Sequence, residues 1–240
     1  MNELDLHYPP DACPFCNIAA AFPGPVSVSL SASTSTFSAS TSTSTSISSP
    51  LSESISAAGN DRGKELEAEE SETETEGLPS SIPTETSSDP DKTIPSSFIV
   101  LASRDVLAFL DILPMTRGHL LVASRQHRVK VADLRGDEGR EMGFWLPVLA
   151  RVVCRITGVE DYNIVQNNGA RAAQVVPHVH FHIIPRPETK PEIKSKSWTM
   201  FGRGQRDELD DEDGASIAAQ MRQALREEVA KVNAALGSKL

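Results

Sequence analysis

The sequence predicts an α+β domain: an antiparallel five-stranded sheet with one long helix, a C-terminal amphipathic helix and a large disordered insertion. Five short β-rich runs lie between residues 98 and 184. The two predicted helices do not alternate one by one with the strands, which favours α+β over a parallel α/β sheet. Residues 24–94 are rich in serine, threonine and glutamate and offer too little apolar surface to offset chain entropy.

The insertion also carries most of the negative charge of the chain. Of the 23 residues from 27 to 49, 17 are serine or threonine, and residues 24–97 hold twelve acidic and three basic side chains. That stretch therefore supplies −9 of the formal charge of −10. We divide the chain into an N-terminal segment of the domain, the insertion, the main domain and a C-terminal extension, with bounds 1–23, 24–94, 95–190 and 191–240.

Composition excludes several classes of protein. No apolar run approaches the ~20 residues that span a bilayer, so we expect no membrane partner. No excess of basic residues favours nucleic acid as a partner. Three cysteines cannot build a disulfide framework, and the polar, acidic N-terminus has no apolar signal region. These features predict an intracellular protein, cytoplasmic or nuclear.

The strands are predicted by short apolar runs that are bounded by turn residues. The first two runs form a plausible hairpin across three polar residues, and the last run alternates polar and apolar side chains with period two. The predicted strands span residues 98–101, 106–110, 119–123, 162–166 and 179–184.

The two helices are predicted by apolar residues at spacings of three and four. Asp133 is predicted to cap the first helix, which runs to about Thr157. The second helix carries the apolar stripe Ile217–Leu236 and is predicted to stop at Gly237.

The most informative segment is the last strand, in which His178, His180 and His182 alternate with apolar residues. On a strand this period places the three imidazoles on one face, about 7 Å apart. Each imidazole must be solvated or hydrogen-bonded, so three in a row are a costly way to build a strand. The spacing therefore indicates a functional site.

Two chemistries suit aligned imidazoles. Alternate histidines of a strand can share one metal ion, or a neutral imidazole can attack phosphorus while its neighbours donate hydrogen bonds to phosphate. Upstream lie Asn167, Gly169 and Gln174, neutral amides and a flexible turn that suit phosphate oxygens. No carboxylate lies between Asp161 and Glu188. Phosphorus chemistry is therefore favoured.

The pattern His178-x-His180-x-His182 followed by two apolar residues resembles the signature of the histidine-triad (HIT) family of nucleotide hydrolases and transferases. The chain looks like a zinc-bearing member of fungal or bacterial type, and the resemblance covers most of its foldable part. Four further motifs occur in the family's order: Cys13–Ile18, Val106–Ile112, Arg117–Val122 with Gln126-His127, and Asn167–Gly169 with Gln174.

The resemblance implies an enzyme that cleaves AMP or GMP conjugates at the α-phosphate, either phosphoramidates or dinucleoside polyphosphates. It implies that His180 is the nucleophile and forms a covalent nucleotidyl-histidine. His182 would hydrogen-bond the phosphate or protonate the leaving group, and His178 and His119 would complete the catalytic set. No organic cofactor is implied. The alternative is a non-catalytic nucleotide-binding sensor or scaffold that uses the same pocket.

The resemblance also implies the binding residues. Asp111 corresponds to an acid that binds the ribose hydroxyls, and Asn167, Gly169 and Gln174 correspond to residues that bind phosphate oxygens. Val175 departs from the family, which has serine or threonine at this position. The lost hydroxyl removes one contact to the phosphate or the leaving group.

A metal site and a dimer are implied in the same way. Cys13 and Cys16 alone are half a zinc site. In zinc-carrying members of the family the other two ligands correspond to His127 and His178. The resemblance therefore implies a closed, structural zinc site that ties the N-terminal segment to the sheet, and it implies a homodimer.

Overall fold

The computed structural model describes residues 13–25, 78–188 and 208–237. Most of the predicted insertion and the first part of the C-terminal extension lie outside these described residues. Within them, no helix is both long and apolar enough to cross a membrane.

The described residues form five strands and three α-helices, and the predicted α+β class is confirmed. The sheet has the order β1-β2-β3-β5-β4, and each neighbouring pair is antiparallel. Short 3-10 turns connect several elements. The bounds are α1 Pro14–Ala21, β1 Ile99–Ala102, β2 Val106–Leu110, β3 Leu120–Ser124, α2 Gly136–Thr157, β4 Tyr162–Gln166, β5 His180–Pro185 and α3 Asp211–Gly237.

The sheet separates two hydrophobic layers, because successive side chains of a strand point to opposite faces. On β2, Leu110 packs in the layer that contains α2 and α3, whereas Phe109 packs in the layer that contains α1. On β5, Ile183 joins the α2–α3 layer. His180 therefore faces α1, where its ring lies 5.1 Å from the Phe15 ring, centroid to centroid.

Helix α2 begins at Gly136, so the prediction that Asp133 caps it is wrong. The Asp133 carboxylate accepts the N–H of Lys130 at 2.8 Å and closes a separate 3-10 turn. Instead, the Glu138 carboxylate accepts the N–H of Arg135 at 2.8 Å and satisfies the first orphan donor of the helix. Asp133 stands just before the apolar stripe, as an N-cap residue would, although the helix begins three residues later. The predicted C-terminal end of this helix is confirmed.

Residues 78–94, which fall inside the predicted insertion, are part of the domain. Ile82 is buried in the α2–α3 layer. Arg226 of α3 donates a hydrogen bond to the carbonyl oxygen of Pro83 at 2.9 Å. A helix from the far end of the chain covers this segment, and local composition cannot reveal such a long-range contact.

Helix α1 is held against the sheet by its apolar side chains and by one arginine. Arg125, which follows β3, donates through Nη1 to the carbonyl oxygens of Ala19 and Phe22 at 3.0 and 2.9 Å. Its Nε donates to the carbonyl oxygen of Ser103 at 2.8 Å. The arginine satisfies carbonyls at the C-terminal end of the helix, which have no partner within the helix itself.

Candidate active site

The rings of His178 and His180 lie against α1, and the His182 ring lies beside that of His180. The His180 and His182 ring centroids are 4.9 Å apart, and Phe15 of α1 makes edge-on contacts with both His178 and His180. The prediction that the three imidazoles share one face of the strand therefore describes the structure. Phe15 was not predicted as a site residue, although its position inside the Cys13–Ile18 motif was a signal.

The His180 ring is held by the backbone of the strand. Its Nδ1 lies 2.6 Å from the carbonyl oxygen of His178, so Nδ1 carries the proton and donates. In a neutral imidazole the lone pair is then on Nε2. Burial lowers the pKa of His180 below its usual value, because it disfavours the charged form. The ring is therefore neutral at pH 7, with Nε2 free to act as a nucleophile.

A cleft of about 1150 Å³ opens beside this ring. It brings together His180 and His182, the end of β2, helix α1 and the loop before β5. Three of the residues assigned to substrate binding, Asp111, Asn167 and Gln174, line the cleft. Apolar side chains supply most of the rest of the wall, among them Ile18, Phe109, Ile112 and Val175. Such a wall with a few convergent polar groups is typical of a small-molecule site.

The loop before β5 is shaped by Gln174. Its Oε1 accepts the N–H of Gly169 at 2.6 Å, and its Nε2 donates to the carbonyl oxygens of Val129 and His178 at 2.7 and 3.4 Å. Gly169 has a φ of +93°, which disfavours any side chain. The amide of Gln174 is thus used inside the protein, where it orients the loop that carries Asn167.

His119 and Asp111 continue the line of polar groups away from His182. The His119 ring is buried, and its Nε2 lies 3.0 Å from Nδ1 of His182. Its Nδ1 lies 3.3 Å from Oδ2 of Asp111. His119 does not line the cleft, so it reaches a substrate only through His182.

The other predicted cluster also assembles. Sγ of Cys13 lies 3.4 Å from Nδ1 of His178, and Sγ of Cys16 lies 3.3 Å from Nδ1 of His127 and 3.6 Å from Nδ1 of His178. The four ligand atoms lie within 4.8 Å of one another and could hold a metal ion. A tetrahedral zinc ion separates a sulfur from a nitrogen ligand by about 3.6 Å, given its usual bond lengths. The distances therefore fit zinc.

The protonation of His178 suits a metal ligand rather than a catalytic group. Its Nε2 donates to the carbonyl oxygen of Ser124 at 2.7 Å, which leaves the lone pair on Nδ1, toward the two sulfurs. Burial lowers the pKa of His178 to about 4, so the ring is neutral at pH 7. Burial and the neighbouring Cys13 sulfur raise the pKa of the Cys16 thiol to about 12. A bound cation would reverse that effect, because zinc binds the thiolate. The part that Ser124 takes in orienting His178 was not predicted from the sequence.

Comparisons with known proteins agree with this arrangement. A family model described as "HIT domain" matches residues 92–189. The chain is 47% identical over 81 residues to adenosine 5'-monophosphoramidase of Schizosaccharomyces pombe, a match that covers 34% of this chain and 58% of that protein. It is 38% identical over 113 residues to an uncharacterized HIT-like protein of Methanocaldococcus jannaschii, with 47% and 83% covered. It is 32% identical over 148 residues to adenosine 5'-monophosphoramidase of Candida albicans, with 57% and 86% covered. The match thus spans less than two thirds of the S. pombe protein.

Proposed function

Because the chain belongs to the histidine-triad (HIT) family, we propose that it is a nucleotide hydrolase that cleaves nucleoside phosphoramidates at the α-phosphate. The observation that carries the proposal is the orientation of His180. Its Nδ1 is fixed on a backbone carbonyl 2.6 Å away, so a neutral Nε2 lone pair is presented at the cleft. A neutral imidazole needs no prior deprotonation to attack phosphorus.

The reaction proceeds in two displacements. Nε2 of His180 forms a bond to the α-phosphorus, and the bond from phosphorus to the leaving group breaks. Water then attacks the nucleotidyl-histidine and releases the mononucleotide. The apolar residues of the cleft contact the base, while the loop that carries Asn167 contacts the phosphate oxygens.

The charges of the cleft favour a phosphoramidate over a dinucleoside polyphosphate. Among the described residues that line the cleft, Lys92 is the one lysine or arginine. Its Nζ already donates to the carbonyl oxygen of Ser87 at 2.8 Å. A polyphosphate leaving group carries several negative charges that this wall does not neutralise. Two of the relatives are named adenosine 5'-monophosphoramidases, which agrees with this choice.

The test combines turnover with detection of the intermediate. The unmodified protein and His180→Ala are assayed with adenosine phosphoramidates and diadenosine polyphosphates, and mass spectrometry is used to detect a nucleotide adduct. We expect turnover of the amides and an adduct in the unmodified protein alone, and AMP binding in both. If the unmodified protein binds AMP but cleaves no conjugate, the protein is a nucleotide sensor and the proposal is wrong.

We also propose that Cys13, Cys16, His127 and His178 bind one structural zinc ion. All four positions of a tetrahedral site are filled by the protein, so no position remains for substrate or water. Such a closed site would join α1 to the loops that flank β3 and β5, and its role would be stability rather than catalysis.

We further propose that the protein forms a homodimer. Strand β4 lies at one edge of the sheet. Its Tyr162 and Ile164 are large apolar side chains that are more than two-fifths exposed. An exposed edge strand with apolar side chains is a ready surface for pairing. Light scattering of the full chain tests this, and a monomeric mass would contradict it.

A further inference from the structure

The carboxylate of Asp111 is turned toward His119 as well as toward the cleft. Its Oδ1 accepts the N–H of Leu113 at 2.9 Å, which fixes the orientation of the group. The other oxygen, Oδ2, then lies 3.3 Å from Nδ1 of His119. The Asp111 side chain is 12% exposed and that of His119 is 0% exposed, so water screens this contact little.

The His119 ring connects Asp111 to His182. One ring nitrogen faces the carboxylate, and the other lies 3.0 Å from Nδ1 of His182. His182, unlike His119, lines the cleft. The three groups therefore form a continuous chain from the partly buried carboxylate of Asp111 to a ring that a substrate can touch.

The position of one proton decides what this chain does. Nδ1 of His119 also lies 3.2 Å from the backbone nitrogen of Met115, which can only donate. If Nδ1 accepts from Met115, His119 carries its proton on Nε2 and donates to His182. If Nδ1 instead carries the proton and donates to Asp111, His119 accepts from Nδ1 of His182. An ionised carboxylate favours the second arrangement, because a charge-assisted hydrogen bond is the stronger one.

We propose that Asp111 and His119 are positioning residues that hold a proton on each nitrogen of His182, so that its Nε2 can protonate the leaving group. The proposal deepens the proposed hydrolase function and rests on it. The negative charge of Asp111, passed through the oriented His119 ring, stabilises a positive His182 ring. Asp111 thus has a role in addition to binding ribose.

The step is balanced as follows for an amide substrate. Nε2 of His180 bonds to phosphorus, and the phosphorus–nitrogen bond breaks with its electron pair left on nitrogen. That nitrogen takes the proton from Nε2 of His182 and leaves as an amine. His182 is then neutral, with its proton on Nδ1. The freed Nε2 removes a proton from the water that hydrolyses the nucleotidyl-histidine, which restores the starting state.

Because Val175 has no hydroxyl, protonation of the leaving group depends more strongly on His182. The Val175 side chain lines the cleft and is exposed, yet it has no hydroxyl to donate to a leaving group. Protonation therefore depends on His182 alone among the described residues of this loop and strand, because His180 is used as the nucleophile and Gln174 is hydrogen-bonded internally.

The test compares two adenosine substrates that share the nucleotide half. The amine of an alkyl phosphoramidate must be protonated in order to leave, whereas the p-nitrophenolate of a p-nitrophenyl phosphate ester leaves without a proton. We expect Asp111→Asn to lower kcat/KM for the amide about ten- to a hundredfold more than for the ester, since general acid catalysis contributes on the order of 10²–10⁴-fold. The control Asp161→Asn removes an exposed acid outside the cleft and should leave both rates unchanged. Equal losses on the two substrates would mean that Asp111 only binds ribose, and would overturn the proposal.

A second measurement needs neither a variant nor turnover. Nitrogen-15 NMR of the histidine rings in the unmodified protein reports which nitrogen is protonated. We expect the proton of His119 on Nδ1, and a proton on Nδ1 of His182. A His119 proton on Nε2 would overturn the proposal even if the enzyme is active. If the protein cleaves neither substrate, the proposed function fails, and the NMR result still decides whether the proton arrangement exists.

Discussion

The carbonyl oxygen of His178 lies 2.6 Å from Nδ1 of His180. The side chain of His178 faces Cys13 and Cys16, while its backbone orients the ring at the cleft. One residue therefore takes part in both the candidate metal site and the orientation of the proposed nucleophile. A displacement of the His178 backbone should therefore also change the orientation of the His180 ring, two residues along the chain.

Removal of Cys16, one of the proposed zinc ligands, is expected to cost stability. Cys16→Ser should bind less than one zinc per chain and unfold about 5–15 °C lower than the unmodified protein, because binding energy of a structural metal is folding energy. Metal analysis and thermal unfolding measure the two effects. Cys154→Ser, which changes a cysteine outside the cluster, is the matched control and should keep its zinc. Equal zinc content in both variants would contradict the site.

The pH dependence of turnover is expected to reflect the burial of His180, the proposed nucleophile. Burial lowers the pKa of His180, so its ring stays neutral and reactive below the pH at which an ordinary histidine is protonated. The acidic limb of kcat/KM for an adenosine phosphoramidate should therefore have its midpoint below about 6.5. A midpoint above that value would mean that His180 is not the group that must be neutral.

The zinc-free protein is expected to become less stable as the pH is lowered. The pKa of His178 is about 4 in the folded protein and near 6.5 when unfolded, so at pH 5 the unfolded chain binds a proton that the folded chain does not. Protonation thus favours unfolding, and the free energy of unfolding should drop by about 2 kcal/mol between pH 7 and pH 5. Urea unfolding in the presence of a chelator measures it. In His178→Asn this contribution of about 2 kcal/mol should be absent, whereas the smaller pH dependence that comes from the buried His180 should remain.

The ion pair of Arg128 with Glu138 is expected to be essential for stability. Nη2 of Arg128 lies 2.7 Å from Oε1 of Glu138, whose side chain is 1% exposed. In Arg128→Ala the buried carboxylate loses its main partner, which should destabilise the fold by about 3–5 kcal/mol. Arg155→Ala removes one partner of the half-exposed pair with Glu227 and should cost less than about 1 kcal/mol. Denaturant unfolding of both variants compares them, and similar losses would contradict the argument.

The strands were largely predictable, because their signal is local. Short apolar runs located β2 and β4 to the residue, and the alternation of side chains in the last strand placed His180 and His182 on one face. The ordered segment around Ile82 could not be predicted, since its burial depends on α3 from the other end of the chain. The start of α2 was misplaced because Asp133 closes a separate 3-10 turn, whereas the helix uses its third residue, Glu138, to accept the N–H of Arg135.

The site was predictable in its residue types but not in its hydrogen bonds. The alternating histidines indicated the first cluster, and the family resemblance added His127 and His178 to the Cys-x-x-Cys pair of the second. The sequence could not show that the Gln174 amide hydrogen-bonds to the backbone, because a side-chain amide can bond to a phosphate or to a peptide group equally well. The same holds for Arg125 and Glu138, since a charged residue in a sequence is usually a solvated one.

The docking of α1 has a consequence for a cleaved form of the protein. The described contacts that hold the helix all lie outside residues 26–77. They are made by its apolar side chains, by the three carbonyls that Arg125 bonds and by the cysteines at its start. A single protease cut in that stretch should therefore yield two fragments that co-elute on a sizing column and remain active together. The N-terminal peptide would behave as a tightly bound subunit, and its separation from the larger fragment would need a denaturant.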